Sequence, residues 1–253
     1  MQHVFQFLVP YMNQVSALST QQTFALRLVC RAGRDAVDEN VSSLVRVELQ
    51  NKGMDDAGAE RMAACLAGCS MLTHVVLGCN SIRGRGAGFL GLLQTCAELV
   101  HVNLEGNLLG DDGTAAVVAA LRQCKALATL ELTANQVTQK GATALADGLQ
   151  HWPRLRTLRL GENELGDAGA QTLVGSLSKC EMLVSVNLSN NKIGNAGAHA
   201  LFDVLVHCRM MQELRIGGNA IDSDTLDHLF TRLYFMYAAG PAVGTRPAFL
   251  FSV

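Results

Sequence analysis

The stretch LRTLRLGENEL, residues 155–165, recurs along the chain at a nearly fixed interval. Close copies begin at Leu72, Leu99, Leu127, Leu183 and Met211, and a weaker copy begins at Leu44. An asparagine occupies the same position in six of these copies: Asn80, Asn107, Asn135, Asn163, Asn191 and Asn219. These residues are 27, 28, 28, 28 and 28 positions apart, which predicts seven repeats between residues 44 and 238.

Within one copy, the order of apolar and polar residues predicts a strand followed by a turn. Leu155, Leu158 and Leu160 place one apolar face along a short extended segment. Asn163 follows at the point where the chain must turn inward. We expect its amide to satisfy backbone groups of the turn, and we expect the six asparagines together to form a buried ladder.

The second half of each copy predicts a helix. Leu173 and Leu177 have helical spacing. A glycine stands six residues after the asparagine position in most copies, where a small residue allows neighbouring helices to pack closely. Asp56, Asp111 and Asp167 lie just before this glycine, and we expect them to cap the N-termini of their own helices.

The pattern L-x-x-L-x-L-x-x-N-x-L, followed by Gly-Asp-Ala-Gly-Ala, resembles the leucine-rich repeats of the ribonuclease-inhibitor-like class. The resemblance covers residues 44–238 and implies an α/β horseshoe with a parallel sheet on its concave face and helices on its convex face. Parallel strands stack at about 4.8 Å, whereas helices need about 10 Å each, so the array must bend with the strands inside.

The two ends of the chain lie outside the repeats. Residues 1–43 predict two or three short helices that cap the array, and residues 239–253 form a tail containing proline and glycine. The segment FALRLVCRAGRDAVDENV, residues 24–41, resembles the second half of an F-box, whose usual form includes V-C-R-x-W-R. Gly33 occupies the tryptophan position, and the usual opening helix is absent or reduced.

The F-box resemblance implies a specific partner for residues 1–43. A Skp-type adaptor of a cullin ubiquitin ligase would dock there, and the repeats would select the substrate. The residues that would contact the adaptor are Leu28, Val29, Cys30 and Arg31. The alternative is a plain hydrophobic cap.

Composition excludes several other classes of protein. Lys and Arg number 20 against 22 Asp and Glu, and the resulting charge of -2 provides no positive field for nucleic acid. Neither an apolar stretch long enough to cross a membrane nor a charged leader of the secretory kind is visible. We therefore expect a protein of the cytoplasm, or alternatively of the nucleus, that binds neither membranes nor nucleic acid.

The strand residues that point away from the core are the candidate partner-binding residues. Strand periodicity places them side by side across the concave face. They are Arg46, Glu48, His74, His101, Asn103, Glu131, Arg159, Asn187, Glu213 and Arg215, with Glu105 and Glu162 just beyond the strands. His74 and His101 are predicted neighbours, but two ligands are too few for a metal site, so we predict a polar binding surface without a metal.

No pattern in the sequence indicates catalysis. Five of the eight cysteines occupy one repeat position, which indicates packing rather than disulfides or metal binding. The glycines of a formal G-x-G-x-x-G include the repeat glycine Gly86, so we predict no dinucleotide or other cofactor. No Ser/His/Asp arrangement, H-E-x-x-H or P-loop is present.

Taken together, the residues favour a non-enzymatic protein-interaction scaffold or adaptor, with an F-box-like substrate receptor as the more specific form. One alternative is a regulator of a small GTPase, because Ran GTPase-activating proteins have similar repeats. Another is a structural subunit of a cytoskeletal or ciliary assembly. The sequence does not identify the partner, because a fold alone does not determine a function.

Overall fold

A computed structural model describes residues 27–28, 45–66, 69–85, 87–205, 208 and 210–238. Within these ranges the chain is an open solenoid in which short strands alternate with helices. Repeats 1 to 7 begin at residues 44, 72, 99, 127, 155, 183 and 211. The α/β solenoid expected from the sequence is confirmed.

One eight-stranded sheet contains all the strands of the described residues, in chain order. The strands are β1 (Arg27–Leu28), β2 (Arg46–Glu48), β3 (His74–Val76), β4 (His101–Asn103), β5 (Thr129–Glu131), β6 (Thr157–Arg159), β7 (Ser185–Asn187) and β8 (Glu213–Arg215). From β2 onward every neighbouring pair is parallel. Each strand pairs with the equivalent residues of the next repeat, so the repeat period sets the register.

A helix follows each parallel strand. The helices are α1 (Asp56–Cys65), α2 (Ala87–Thr95), α3 (Gly110–Ala120), α4 (Gln139–Leu149), α5 (Gly166–Leu177), α6 (Asn195–Leu205) and α7 (Ser223–Ala238), with a 3₁₀ turn at Leu121–Gln123. Consecutive helices pack against each other on the convex side of the sheet. None of the helices in the described ranges has the length and apolar character needed to span a membrane.

The core lies between the sheet and the helices. The central residue of each parallel strand is buried, as are leucines such as Leu145 and Leu173 on the helices. Burial of one leucine side chain contributes about 1.5 to 3 kcal/mol, so the stacked leucines dominate the stability of the array. Cysteines fill the predicted packing position and are buried at Cys69, Cys96, Cys124, Cys180 and Cys208, with Trp152 in the remaining interior repeat.

The repeat asparagines join each turn to the one before it. Asn163 illustrates the pattern: its Oδ1 accepts hydrogen bonds from the backbone N–H groups of Asn135 and Val137, both at 2.9 Å. Its Nδ2 donates to the carbonyl of Leu132 in the preceding repeat at 3.0 Å and to that of Leu160 in its own repeat at 2.9 Å. One buried side chain thus satisfies backbone groups of two adjacent turns.

Asp111 and Asp167 cap the helix of the following repeat, and Asp56 accepts from the N–H of Arg83 in the following repeat. The prediction that these aspartates cap their own helices is wrong. Asp111 lies inside the first turn of α3, where its side chain faces repeat 4. Its Oδ1 accepts from the N–H groups of Thr138 and Gly141, both at 2.8 Å. Asp167 bonds in the same way to the N–H groups of Gly194 and Gly197. The caps therefore couple neighbouring repeats.

The sheet begins with a strand that the sequence does not predict. Arg27 and Leu28, expected in a helical cap, form β1 and pair antiparallel with Glu48 and Val47 of β2. An unpaired edge of β2 would leave its backbone groups without partners, which β1 supplies. Val29, Cys30 and Arg31 lie outside the described residues, as do the rest of the predicted cap and the tail 239–253.

Candidate functional site

Two in-register rows of side chains line the concave face. The first row contains Arg46, His74, His101, Thr129, Thr157, Ser185 and Glu213, and the second contains Glu48, Val76, Asn103, Glu131, Arg159, Asn187 and Arg215. Most of these side chains are half-buried or exposed, as predicted. Val76 and Glu131 differ because they are buried, with 8% and 7% of their surface exposed.

The charged residues of these rows are paired with one another. Arg46 forms an ion pair with Glu48, two residues later on the same strand. Arg215 forms the same kind of pair with Glu213, with Nε and Nη2 at 2.7 and 2.6 Å from Oε1. Alternate residues of a strand share a face, which brings both pairs together. The charges of the face are therefore arranged as local ion pairs.

The two histidines stack on each other at the boundary between repeats 2 and 3. The ring centroids of His74 and His101 are 5.6 Å apart, and the rings are inclined by 25°. Burial lowers the pKa of both imidazoles, and the positive charge of Arg46 lowers each pKa further. Both rings are therefore predominantly neutral at pH 7.

A hydrogen bond from His74 to Thr73 sets the tautomer of the His74 ring. The Thr73 hydroxyl donates to the carbonyl of Val45 at 3.0 Å, so its oxygen can accept from Nδ1 of His74 at 2.8 Å. In the neutral ring the proton then sits on Nδ1, and Nε2 keeps its lone pair. His74 presents a hydrogen-bond acceptor on the concave face, and Thr73 is a supporting residue that the sequence analysis missed.

Glu131 lies at the centre of a second cluster. Its Oε2 accepts from Nδ2 of Asn103 and from Nη1 of Arg159, both at 3.3 Å. Nε2 of His101 lies 3.9 Å from Oε1. Only 9% of the Glu131 side chain is exposed, whereas 47% of the Arg159 side chain is exposed. Glu131 therefore orients its neighbours and presents little surface to a partner.

Ser185 holds the carboxylate of Glu213 at the far end of the face. The Ser185 hydroxyl donates to Oε2 of Glu213 at 2.7 Å. This bond lowers the pKa of the Glu213 carboxyl below its ordinary value, with a smaller contribution from Arg215. Glu213 is therefore ionised and fixed in position, which in turn orients the guanidinium of Arg215.

The residues that come directly after the strands form the rim of the concave face. Here Glu105 is half-buried and Glu162 is exposed. Glu162 and Cys79 occupy equivalent positions with left-handed backbone, at φ values of 56° and 55°. Cys79 is exposed, unlike the other five cysteines whose burial the structure describes. Both side chains project at the edge of the concave surface.

No metal centre is visible in the described part of the chain, where no three His, Cys, Asp or Glu side chains are arranged to hold an ion. The predicted partner-binding residues all lie in these rows or at the rim, and the stacked histidines meet as neighbours. The structure adds the ion pairs, the bond from Ser185 to Glu213 and the bond between His74 and Thr73. These contacts depend on side-chain positions that spacing alone does not give.

Three segments of the chain are similar to a known family of repeats. Residues 68–91, 153–174 and 179–202 match the family model described as Leucine Rich repeat. Among solved structures, the chain is similar to internalin C2 from Listeria monocytogenes, at 19% identity and a TM-score of 0.48, over 75% of this chain and 78% of that one. No curated protein matches the chain.

Proposed function

We propose that this leucine-rich repeat solenoid is a non-enzymatic interaction module that binds a partner protein on the concave face of its sheet. The observation that supports the proposal is the pair of in-register rows, which present half-buried and exposed polar side chains from seven parallel strands. Extended concave surfaces of this kind are what repeat arrays use for binding.

The dimensions of the face suit a protein partner. Seven strands at a spacing of about 4.8 Å span about 30 Å, which is comparable to the width of a standard protein interface. The ion pairs between Arg46 and Glu48 and between Glu213 and Arg215 hold long side chains in place before binding. Less side-chain entropy is then lost when the partner binds.

Affinity capture with two matched variants tests the proposal. Thr157→Arg places a large side chain within the first row, next to the central Thr129, whereas Thr143→Arg places the same side chain on the exposed surface of α4. Proteins captured from a cell lysate by the wild type and by Thr143→Arg, but lost with Thr157→Arg, would support concave binding. Equal capture by all three proteins would contradict it.

The more specific proposal is an F-box-like substrate receptor. Its support is the match of Val29, Cys30, Arg31 and Arg34 to the F-box pattern. The strand at Arg27–Leu28 departs from the helical form of that family. Binding of a purified Skp-type adaptor by the full chain, with loss of binding in the Val29→Asp/Arg31→Glu variant, would support this role. Absence of adaptor binding by folded full-length protein would remove it.

A further inference from the structure

Three hydrogen-bond donors lie side by side at the C-terminal end of the second row. Arg159 on β6 is in register with Asn187 on β7, which is in register with Arg215 on β8. With strands about 4.8 Å apart, the two arginines flank the asparagine across about 10 Å. We refer to these three residues as the donor row.

Each member of the donor row has N–H groups without an acceptor among the residues that the structure describes. A guanidinium carries five N–H donors. Arg159 uses Nη1 for Glu131, and Arg215 uses Nε and Nη2 for Glu213. Asn187 accepts from the N–H of Ser189 with Oδ1, and its Nδ2 has no acceptor among the described residues.

The two guanidiniums are more exposed than the carboxylates that pair with them. The side chains of Arg159 and Arg215 are 47% and 51% exposed, against 9% for Glu131 and 23% for Glu213. A molecule that approaches this part of the concave face therefore meets the guanidinium N–H groups before the carboxylates. Since both carboxylates hold their arginines from below, the guanidiniums are oriented before a ligand arrives.

We propose that Arg159, Asn187 and Arg215 bind the side-chain carboxylates of an acidic segment of the partner protein. This inference rests on the proposed concave binding and names the chemistry of its partner. Guanidiniums bind carboxylates through paired hydrogen bonds, and the Asn187 amide supplies a further donor between them. Glu131 and Glu213 already offset the two positive charges, so the donor row suits separate carboxylates better than a polyphosphate backbone.

Selection from a display library of random short peptides tests the inference. The full-length chain is immobilised, and a selected peptide is then synthesised and titrated against each variant. We expect enrichment of Asp and Glu in the peptides, and we expect Arg159→Ala and Arg215→Ala each to weaken binding about tenfold. Arg154→Ala removes an exposed arginine that directly precedes repeat 5 and lies outside the two rows, and it should leave the affinity unchanged.

The outcomes separate this inference from the proposed function. If the selected peptides lack acidic residues, bind the two arginine variants normally and fail to bind Thr157→Arg, the proposed role of the donor row is wrong, whereas binding on the concave face is supported. Peptides that bind Thr157→Arg as well as they bind the wild type would overturn both. A selection that yields no acidic peptides also contradicts the proposed role of the donor row. Circular dichroism melting of each variant verifies that it is folded.

Discussion

Oδ1 of Asp167 accepts a hydrogen bond from the backbone N–H of Gly197, at 2.9 Å, in the following repeat. A Cβ atom added at Gly197 would lie only 2.6 Å from that oxygen and 2.7 Å from Cγ2 of Ile193. The glycine therefore allows the carboxylate of one repeat to reach the helix of the next, and this close approach explains why position 197 carries no side chain.

We expect Gly197→Ala to destabilise the protein by about 2 kcal/mol, because the carboxylate and the helix must separate to admit the methyl group. Gly175→Ala is the matched control, since this exposed helical glycine has no heavy atom within 4 Å of an added Cβ. It should stabilise the protein by about 1 kcal/mol through helix propensity. Urea denaturation measures both changes, and shifts of equal sign would contradict the close approach.

Asn163→Ala should lower the free energy of unfolding by about 3 kcal/mol, because buried N–H and carbonyl groups of two turns lose their partners. Glu162→Ala, one residue earlier and exposed, should change it by less than about 0.5 kcal/mol. Thermal unfolding of the two variants is the measurement. Equal melting temperatures would show that Asn163 does not hold the turns together.

Stability should fall as the pH drops below the ordinary histidine pKa of 6.5, because the pKa values of His74 and His101 are lowered in the folded state. The unfolded chain then binds protons that the folded chain does not, which favours unfolding. The groups around the pair are Arg46, Glu48, Glu131 and Arg159.

Urea midpoints between about pH 5 and pH 7 measure this dependence. The double variant His74→Gln/His101→Gln should show a smaller decrease than the wild type over that interval. A decrease of the same size in both proteins would assign the pH dependence to other groups.

Cys79 should react first with iodoacetamide among the six cysteines whose burial the structure describes, because it is the exposed one. Burial raises the pKa of Cys69 and Cys180 to about 11 and that of Cys124 to about 12, so these thiols stay protonated at neutral pH. Peptide mass spectrometry after brief labelling identifies the modified sites. Equal labelling of Cys124 would show that the core opens on the same time scale.

Arg159→Ala and Arg215→Ala should differ in stability although both remove an exposed guanidinium. Arg159→Ala leaves the buried Glu131 carboxylate with the amide of Asn103 as its remaining donor, and we expect a loss of about 1 kcal/mol. Arg215→Ala should cost less than about 0.5 kcal/mol, since Glu213 keeps its bond from Ser185. Chemical denaturation compares them, and equal losses would contradict the buried role of Glu131.

The repeat period of the sequence predicts the fold, because each repeat places equivalent residues at equivalent points of the solenoid. The spacing of Asn135, Asn163 and Asn191 gives the strand register directly, since pairs such as Thr129 and Thr157 are one period apart. The same reasoning fails for Asp111, which lies inside its helix but bonds to Thr138 in the next repeat. Capping preferences describe one helix, whereas this contact depends on how two helices are offset.

The concave site is predicted in position but not in its interactions. Alternation along the strands places His74 and His101 next to each other on the exposed face, as the structure has them. The support of His74 by Thr73 and the burial of Glu131 depend on rotamers and on the depth of the neighbouring side chains. These properties have no signature in the spacing of residues.

The contact made by the repeat aspartates does not occur at every boundary between repeats. Asp56, Asp111 and Asp167 stand in repeats 1, 3 and 5, whereas repeats 2 and 4 have Gly84 and Gln139 at that position. In repeat 6, Asn195 holds this position and accepts from the N–H of Asp222 in repeat 7. A protein engineer who shortens or extends this chain would therefore choose which repeat to exchange by the residue at this position. Removing an aspartate-bearing repeat would leave the following repeat without the carboxylate that accepts from its backbone.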